Sequence, residues 1–246
     1  MKTGGRLEKR RRNMKAFNFN GSGGNFFLAK RRRDLTMLIY EIFPRLNGML
    51  KAFRNQHDWY PIDNSKIDVF IKRALSLQIL LKNGGSYEPY DEDARRYLLG
   101  SWLEEFVALA FWKNGLSDIR FSQEIFWRAK SDGSAYKNEI DVMATANDKL
   151  ILVSCKAVAE DTLDRRKGED RIFDALQELS YWNAHFASGE GLPVFVTTAD
   201  FYDEKLRSFR SPRLVERANV MGIKVLPADF GTFDVFTEKV AQLIDG

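Results

Sequence analysis

The stretch NEIDVMATANDKLILVSCK, Asn138 to Lys156, decides how this chain folds. Two apolar runs flank a turn-like ANDK, so they read as two strands paired antiparallel around a short turn. Asp141 interrupts the first run between Ile140 and Val142, and Lys156 ends the second. In such a hairpin the two ends away from the turn meet at one edge of the sheet. An acid and a lysine are therefore expected side by side. The carboxylate there could ligate a divalent cation, and the lysine could position a water or offset charge on a phosphate.

Reading outward, a helix is expected from Asp91 to about Asn114, with acids in its first turn and Gly115 at its end. It carries Glu104 and Glu105, either of which could turn toward the hairpin. Ile119–Trp127 reads as a strand that precedes the hairpin. After it come a helix over about Asp170–Ala187, a buried strand at Leu192–Thr198, a helical stretch interrupted at Pro212, a strand at Ile223–Pro227 and a closing helix. The order α-β-β-β-α-β-α-β-α predicts an α/β fold, a mixed sheet with helices on both faces. Upstream, Leu35–Phe53 has helical spacing with a kink near Pro44. Lys66–Lys82 reads as a second helix, stopped by Gly84–Gly85. The chain divides into a basic tail (1–34), a small helical subdomain (35–90) and an α/β domain (91–246).

With 246 residues, 44% of them hydrophobic, the chain is able to bury a sizeable core. A single cysteine excludes an internal disulfide and fits a reducing cytoplasm. No apolar run is long enough to span a bilayer, and the basic N-terminus lacks the apolar stretch of a signal peptide. A soluble cytoplasmic protein is expected, with no membrane partner. The net charge of +4 is uneven, because residues 1–34 alone hold 11 Lys and Arg against 2 Asp and Glu. The cations gather in Lys9–Arg12, with Arg10, Arg11 and Arg12, and in Lys30–Arg33, with Arg31, Arg32 and Arg33. Phe17, Phe19, Phe26 and Phe27 are interleaved between the clusters. Clustered cations bind phosphates and aromatics stack on unpaired bases, so nucleic acid is the expected partner; a solubilising arm is the alternative. Only two histidines, His57 and His185, are present, which argues against a His-rich zinc site or a histidine-driven hydrolase. Cys155 reads as a small core residue, and Trp102, Trp112, Trp127 and Trp182 as core or interface residues.

A helix Glu, a strand Asp and a Lys on the next strand, on an αβββαβ core, resemble the PD-(D/E)XK nuclease superfamily. The resemblance implies a restriction-endonuclease-like core and an endonuclease that uses Mg²⁺ or Mn²⁺ to hydrolyse phosphodiester bonds. It assigns Asp141, Lys156 and Glu104 to the active site. More narrowly, GSWLEEFVALAF and NEIDVMATANDKLILVSCKA resemble the nuclease domain of CRISPR ancillary nucleases that carry a CARF sensor domain, which implies a role in defence against phage or mobile elements. Gln177 and Tyr181, four apart on one helix face, resemble the Q-x-x-x-Y element of RecB-type nucleases, which implies contact with the substrate strand. The chain departs from the superfamily at Ser154-Cys155-Lys156, where Glu-x-Lys is usual. A hydroxyl is a weaker ligand than a carboxylate for a hard cation. Glu104, Asp141, the backbone carbonyl of Cys155 and waters would still hold one ion, Ser154 would face the substrate, and Glu139, two residues before Asp141, is a further candidate ligand. The 90 residues before the core are too few and too helical for a CARF domain, so no cyclic-oligoadenylate sensor is expected in this chain. Apolar faces on the helices at 35–53 and 66–82 suggest a homodimer. Three readings follow: a metal-dependent nuclease, a catalytically degenerate nuclease fold that binds nucleic acid, with Ser154 marking lost catalysis, and a structural or effector-binding subunit that needs a partner.

Overall fold

The computed structural model describes residues 22–128, 135–203, 205, 207–227 and 231–245. Helices come first: α1 (Phe26–Arg31), α2 (Arg33–Ile42), a 3-10 turn at Phe43–Leu46, α3 (Asn47–Arg54) and α4 (Ser65–Ser76). Pro44 sits at the start of the 3-10 turn, so the expected kink falls where no helical amide bond is lost. The helix expected over Lys66–Lys82 stops early. Gln78 takes a left-handed φ of 56°, and the chain enters β1 (Leu80–Asn83), paired antiparallel with β2 (Ser86–Pro89) around Gly84 at φ 58°. Asn83-Gly84-Gly85 is a hairpin turn, and it prevails over the helical spacing of Ile79–Leu81.

The helix expected over Asp91–Asn114 is two helices. α5 (Glu92–Arg96) is capped by Asp91, whose carboxylate accepts from the Ala94 amide at 2.7 Å. A wide turn through Tyr97–Ser101 breaks at Gly100, where the backbone is extended, and α6 (Trp102–Lys113) follows. Then come β3 (Ser117–Arg128), β4 (Ala135–Ala146), β5 (Lys149–Lys156), α7 (Arg166–Phe186), β6 (Leu192–Thr197), a small hairpin of β7 (Tyr202–Asp203) and β8 (Ser208–Phe209), α8 (Pro212–Val220), β9 (Lys224–Pro227) and α9 (Phe233–Asp245). Pro212 does not interrupt a helix but begins one, with Ser211 capping it, a position that suits a residue without an amide proton. The main sheet has the order β3-β4-β5-β6-β9, antiparallel across β3, β4 and β5 and parallel across β5, β6 and β9.

α6 is the axis of the core. Trp102 to Phe111 are buried without a break, as befits a helix apolar on every side. One flank meets the sheet through Phe121, Val142, Val153 and Val194. The other meets α2 and α9, where the Tyr40 ring stacks on Phe106 at 4.1 Å and Phe106 lies 4.9 Å from Phe236. The opposite sheet face is covered by α7 and α8, which pack Leu176, Leu179 and Leu214 on Leu152 and Phe195. Residues 35–90 and 91–246 share the cluster around α6, although they differ in secondary structure. The apolar faces of α2, α3 and α4 are used in that cluster, through Leu35, Ile39, Leu50, Phe53, Ile67 and Phe70. The argument for a homodimer through uncovered faces of these helices therefore loses its ground. No helix among the described residues is long and apolar enough to cross a membrane.

The expected tail is folded from Ser22 onward. The Gly24 amide donates to the Phe121 carbonyl at 2.7 Å, and the Glu124 amide to the Ser22 carbonyl at 2.9 Å. Arg32 belongs to the interior rather than to a ligand: its Nε donates to Glu105 Oε2 at 2.8 Å, a second nitrogen pairs with Oε1, and its guanidinium lies 4.0 Å over the Tyr97 ring. Arg33 covers the Phe233 ring at 5.6 Å, and Arg31 is exposed. Arg10, Arg11 and Arg12 lie outside the described residues. Trp112 is half exposed beneath Lys30, whose Nζ stands 4.1 Å from its ring, so it is not a core residue.

Glu105 is 2% exposed, and its charge is tolerated because a bidentate arginine meets it. Removing one partner of such a pair leaves the other buried and uncompensated. Glu105→Leu is expected to cost about 3–5 kcal/mol in urea unfolding, and Arg32→Met with Glu105→Leu to recover most of it.

Candidate active site

Glu104 and Glu105 are neighbours on α6, and the helical rotation sends them different ways. Glu105 turns to Arg32 and Glu104 turns to the sheet, which resolves the choice left open by the sequence. The Glu104 carboxylate accepts from Ser122 Oγ on β3. Ser122 has a left-handed φ of 44°, and the register of β3 on β4 runs Phe121↔Val142 and then Gln123↔Ile140, skipping Ser122 and Asp141. The β4–β5 register ends at Val142↔Val153. Beyond it the strands splay, and the side chain of Asp141 bridges the gap. Asp141 Oδ2 accepts from the Cys155 amide at 2.6 Å, from Ser154 Oγ at 3.2 Å and from Lys156 Nζ at 3.4 Å.

The structure thus brings Glu104, Asp141 and Lys156 together, and adds Glu139. Glu104, Glu139 and Asp141 each offer a carboxylate oxygen, and these atoms lie within 4.8 Å of one another. Burial, and then the charge of Asp141, push Glu104 up to about 8, with Glu139 acting the same way and the Ser122 hydrogen bond and Lys156 opposing. Burial and Asp141 likewise raise Glu139. Burial alone would lower Lys156, but Asp141, Cys155 and Glu178 outweigh it and hold the ammonium charged. Burial pushes the Cys155 thiol well up, so it stays protonated and is no nucleophile. The group sets three acids against one lysine, and every ligand atom the acids offer is an oxygen. That set fits a hard divalent cation.

Two neighbours escaped the sequence reading. Ser122 carries no signal in a strand of ordinary composition. Glu178 on α7 accepts from Asn138 Nδ2 at 2.8 Å and lines a cleft with Glu139, Asp141 and Ser154. Gln177 and Tyr181 flank it on α7, both exposed, with the Tyr181 ring stacked on His185 at 5.6 Å. Ser154 is engaged by Asp141, and it is the amide of Cys155 that faces that carboxylate.

A helix that presents an acid to a splayed hairpin carrying Asp and Lys is the core of a PD-(D/E)XK-type nuclease domain. Residues 91–179 match the family described as Card1-like, endonuclease domain. Among solved structures the fold is shared with Can2 from Sulfobacillus thermosulfidooxidans, in complex with cyclic tetra-adenylate, at TM-score 0.61 and 13% identity over 94% of this chain. It is also shared with protein VC1899 from Vibrio cholerae, at TM-score 0.64 and 16% identity over 93%. This chain spans 58% of the length of each. A search of curated protein sequences finds no significant match.

The raised Glu104 gives a pH signature. Between an ordinary carboxylate value of 4.5 and about 8 the folded protein keeps a proton that the unfolded chain has lost. Stability of the metal-free protein therefore falls as pH rises through that window. Thermal melts are expected to show this fall, and Glu104→Gln to flatten it. At pH 8, Mn²⁺ at a hundred times its Kd is expected to raise the wild-type Tm by roughly 5–10 °C and leave Asp141→Asn unmoved.

Proposed function

We propose that this chain is a divalent-metal-dependent endonuclease that hydrolyses phosphodiester bonds of nucleic acid in defence against phage or mobile elements. The observation that carries the reading is the convergence of three carboxylates, one of them almost wholly buried, on a strand-end lysine. Glu104, Asp141 and Glu139 would hold the ion, with the Cys155 carbonyl as a further oxygen. Glu139 supplies the acid that Ser154 lacks. Bound Mg²⁺ or Mn²⁺ would supply a lowered pKa for water and charge stabilisation at the phosphate. Lys156, kept charged by Asp141, would offset the negative charge that grows on the phosphoryl oxygens. The three donors on Asp141 Oδ2 hold that carboxylate in one orientation, so the site is organised before substrate arrives. Ser154 lines the cleft with Glu178, and Gln177 and Tyr181, exposed on the same helix as Glu178, would join it in contacting the substrate strand.

Arg10, Arg11 and Arg12 lie ten to twelve residues before Ser22, which is fixed on β3 beside Glu124, and a stretch of ten residues reaches at most about 35 Å. With Arg31 and Arg33, they would grip phosphates. A single site of this kind cuts one strand, which is the remaining ground for a homodimer; a monomer mass by light scattering would remove it.

Asp141→Asn is expected to abolish cleavage of labelled DNA and RNA in Mn²⁺, and Lys156→Ala to lower kcat far more than it raises KM. Cleavage by Asp141→Asn at the wild-type rate would leave a nucleic-acid-binding module on a nuclease fold. Exchanging Arg10, Arg11 and Arg12 for Ala is expected to weaken binding and to flatten its salt dependence, by a slope change of about 2–3 for three lost phosphate contacts, without changing kcat.

A further inference from the structure

We infer that the segment Ser22–Arg32 is a brace for Glu104, acting through Ser122 on one side and Glu105 on the other, and that Gly24, Ser122 and Arg32 are positioning residues of the metal site. The inference rests on the reading of Glu104, Glu139 and Asp141 as metal ligands. β3 is an edge of the main sheet, and Ser22–Gly24 lies along it. Its two backbone hydrogen bonds, Gly24 to Phe121 and Glu124 to Ser22, fall on either side of Ser122. They bracket the point where the β3–β4 register skips a pair and where Ser122 holds its left-handed φ. A non-glycine residue in that region is held there by its surroundings. Released from the bracket, Ser122 would relax toward extended backbone and swing its hydroxyl away from Glu104.

The approach of the segment is close enough to require glycine. A Cβ on Gly24 would fall 2.1 Å from the Phe121 ring, inside the core, and one on Gly23 would fall 2.6 Å from the end of the Gln123 side chain. Gln123 Nε2 donates to the Ser22 carbonyl at 3.3 Å, and the Ser22 amide donates to Glu124 Oε2 at 3.2 Å. Immediately downstream Asn25 caps α1 through the Leu28 amide, Ala29 is buried, and Arg32 takes Glu105. Eleven residues, Ser22 to Arg32, thus reach both neighbours that fix Glu104: the hydroxyl it accepts from and the next residue of its own helix.

The test is Mn²⁺ binding by calorimetry on the full chain as wild type, Gly24→Val, Ser122→Ala and the double variant. Each single change is expected to weaken Mn²⁺ binding about ten-fold or more, as loss of a hydrogen-bond partner to a ligand does. The double variant is expected to bind no more weakly than Ser122→Ala, because both changes act through one contact. A purely structural role predicts losses that multiply. Unchanged affinity in Gly24→Val, or a multiplied loss in the double variant, overturns the brace. Should Gly24→Val not fold, Gly23→Ala decides: its Cβ meets only the end of a flexible side chain, and it is expected to lose several-fold in affinity at an unchanged metal-free Tm, with no loss overturning the proposal. Asp141→Asn separates the two readings. If it leaves Mn²⁺ affinity intact, the metal site itself has failed; if it abolishes binding while the glycine variants bind as wild type does, only the brace has.

Discussion

Two carboxylates on adjacent residues of a buried helix set the terms for the rest of the molecule. An unpartnered charge in a core costs several kcal/mol, so each of Glu104 and Glu105 needs an answer. Glu105 is answered from within the chain by Arg32, and the N-terminal segment is drawn into the fold to provide it. Among the described residues Glu104 is answered by the hydroxyl of Ser122 and by the more distant Lys156, while Asp141 and Glu139 press on it from the other side. One neighbour is matched by a cation of the chain's own; the other stands among acids.

The same division appears in the hairpin. Below Val142↔Val153 the strands are held by their own ladder. Above it the ladder ends and a side chain takes over, with Asp141 accepting the Cys155 amide in place of a backbone carbonyl. An acid that satisfies a backbone donor is oriented by the sheet itself, so it gains precision at no cost in loop ordering. Lys156, one residue further on, inherits that orientation.

The hairpin was legible because both of its signals are local: alternation of period two with a short turn, and two charged residues where apolar ones would be expected. The mixed character of the sheet followed from it and from the alternation of strand and helix after it. Glu104 and Glu105 could not be told apart, because α6 is apolar around its whole circumference and gives no polar stripe to orient it. The choice is made by Arg32, 73 residues away in the chain. Cations gathered in one stretch read as a tail for phosphates, and nothing in a run of arginines says which of them is destined for the interior. Ser122 was invisible because a left-handed φ on serine is imposed by tertiary contacts rather than by sequence. The β1–β2 hairpin was legible in Asn83-Gly84-Gly85 and was missed because the leucines before the turn, Leu77, Leu80 and Leu81, also fit a helix.

The strip of backbone laid along β3 has a bearing on solubility. A twelve-residue strand at the edge of a sheet offers a row of unpaired amides and carbonyls to any other strand that meets it. Here the middle of that row is occupied by the chain's own residues, and the left-handed turns at Asp118 and Ser122 twist the remainder away from a flat register. Loss of Ser22–Gly24 from β3 would therefore uncover a template for edge-to-edge growth, and clumping of the protein in storage would be its visible trace.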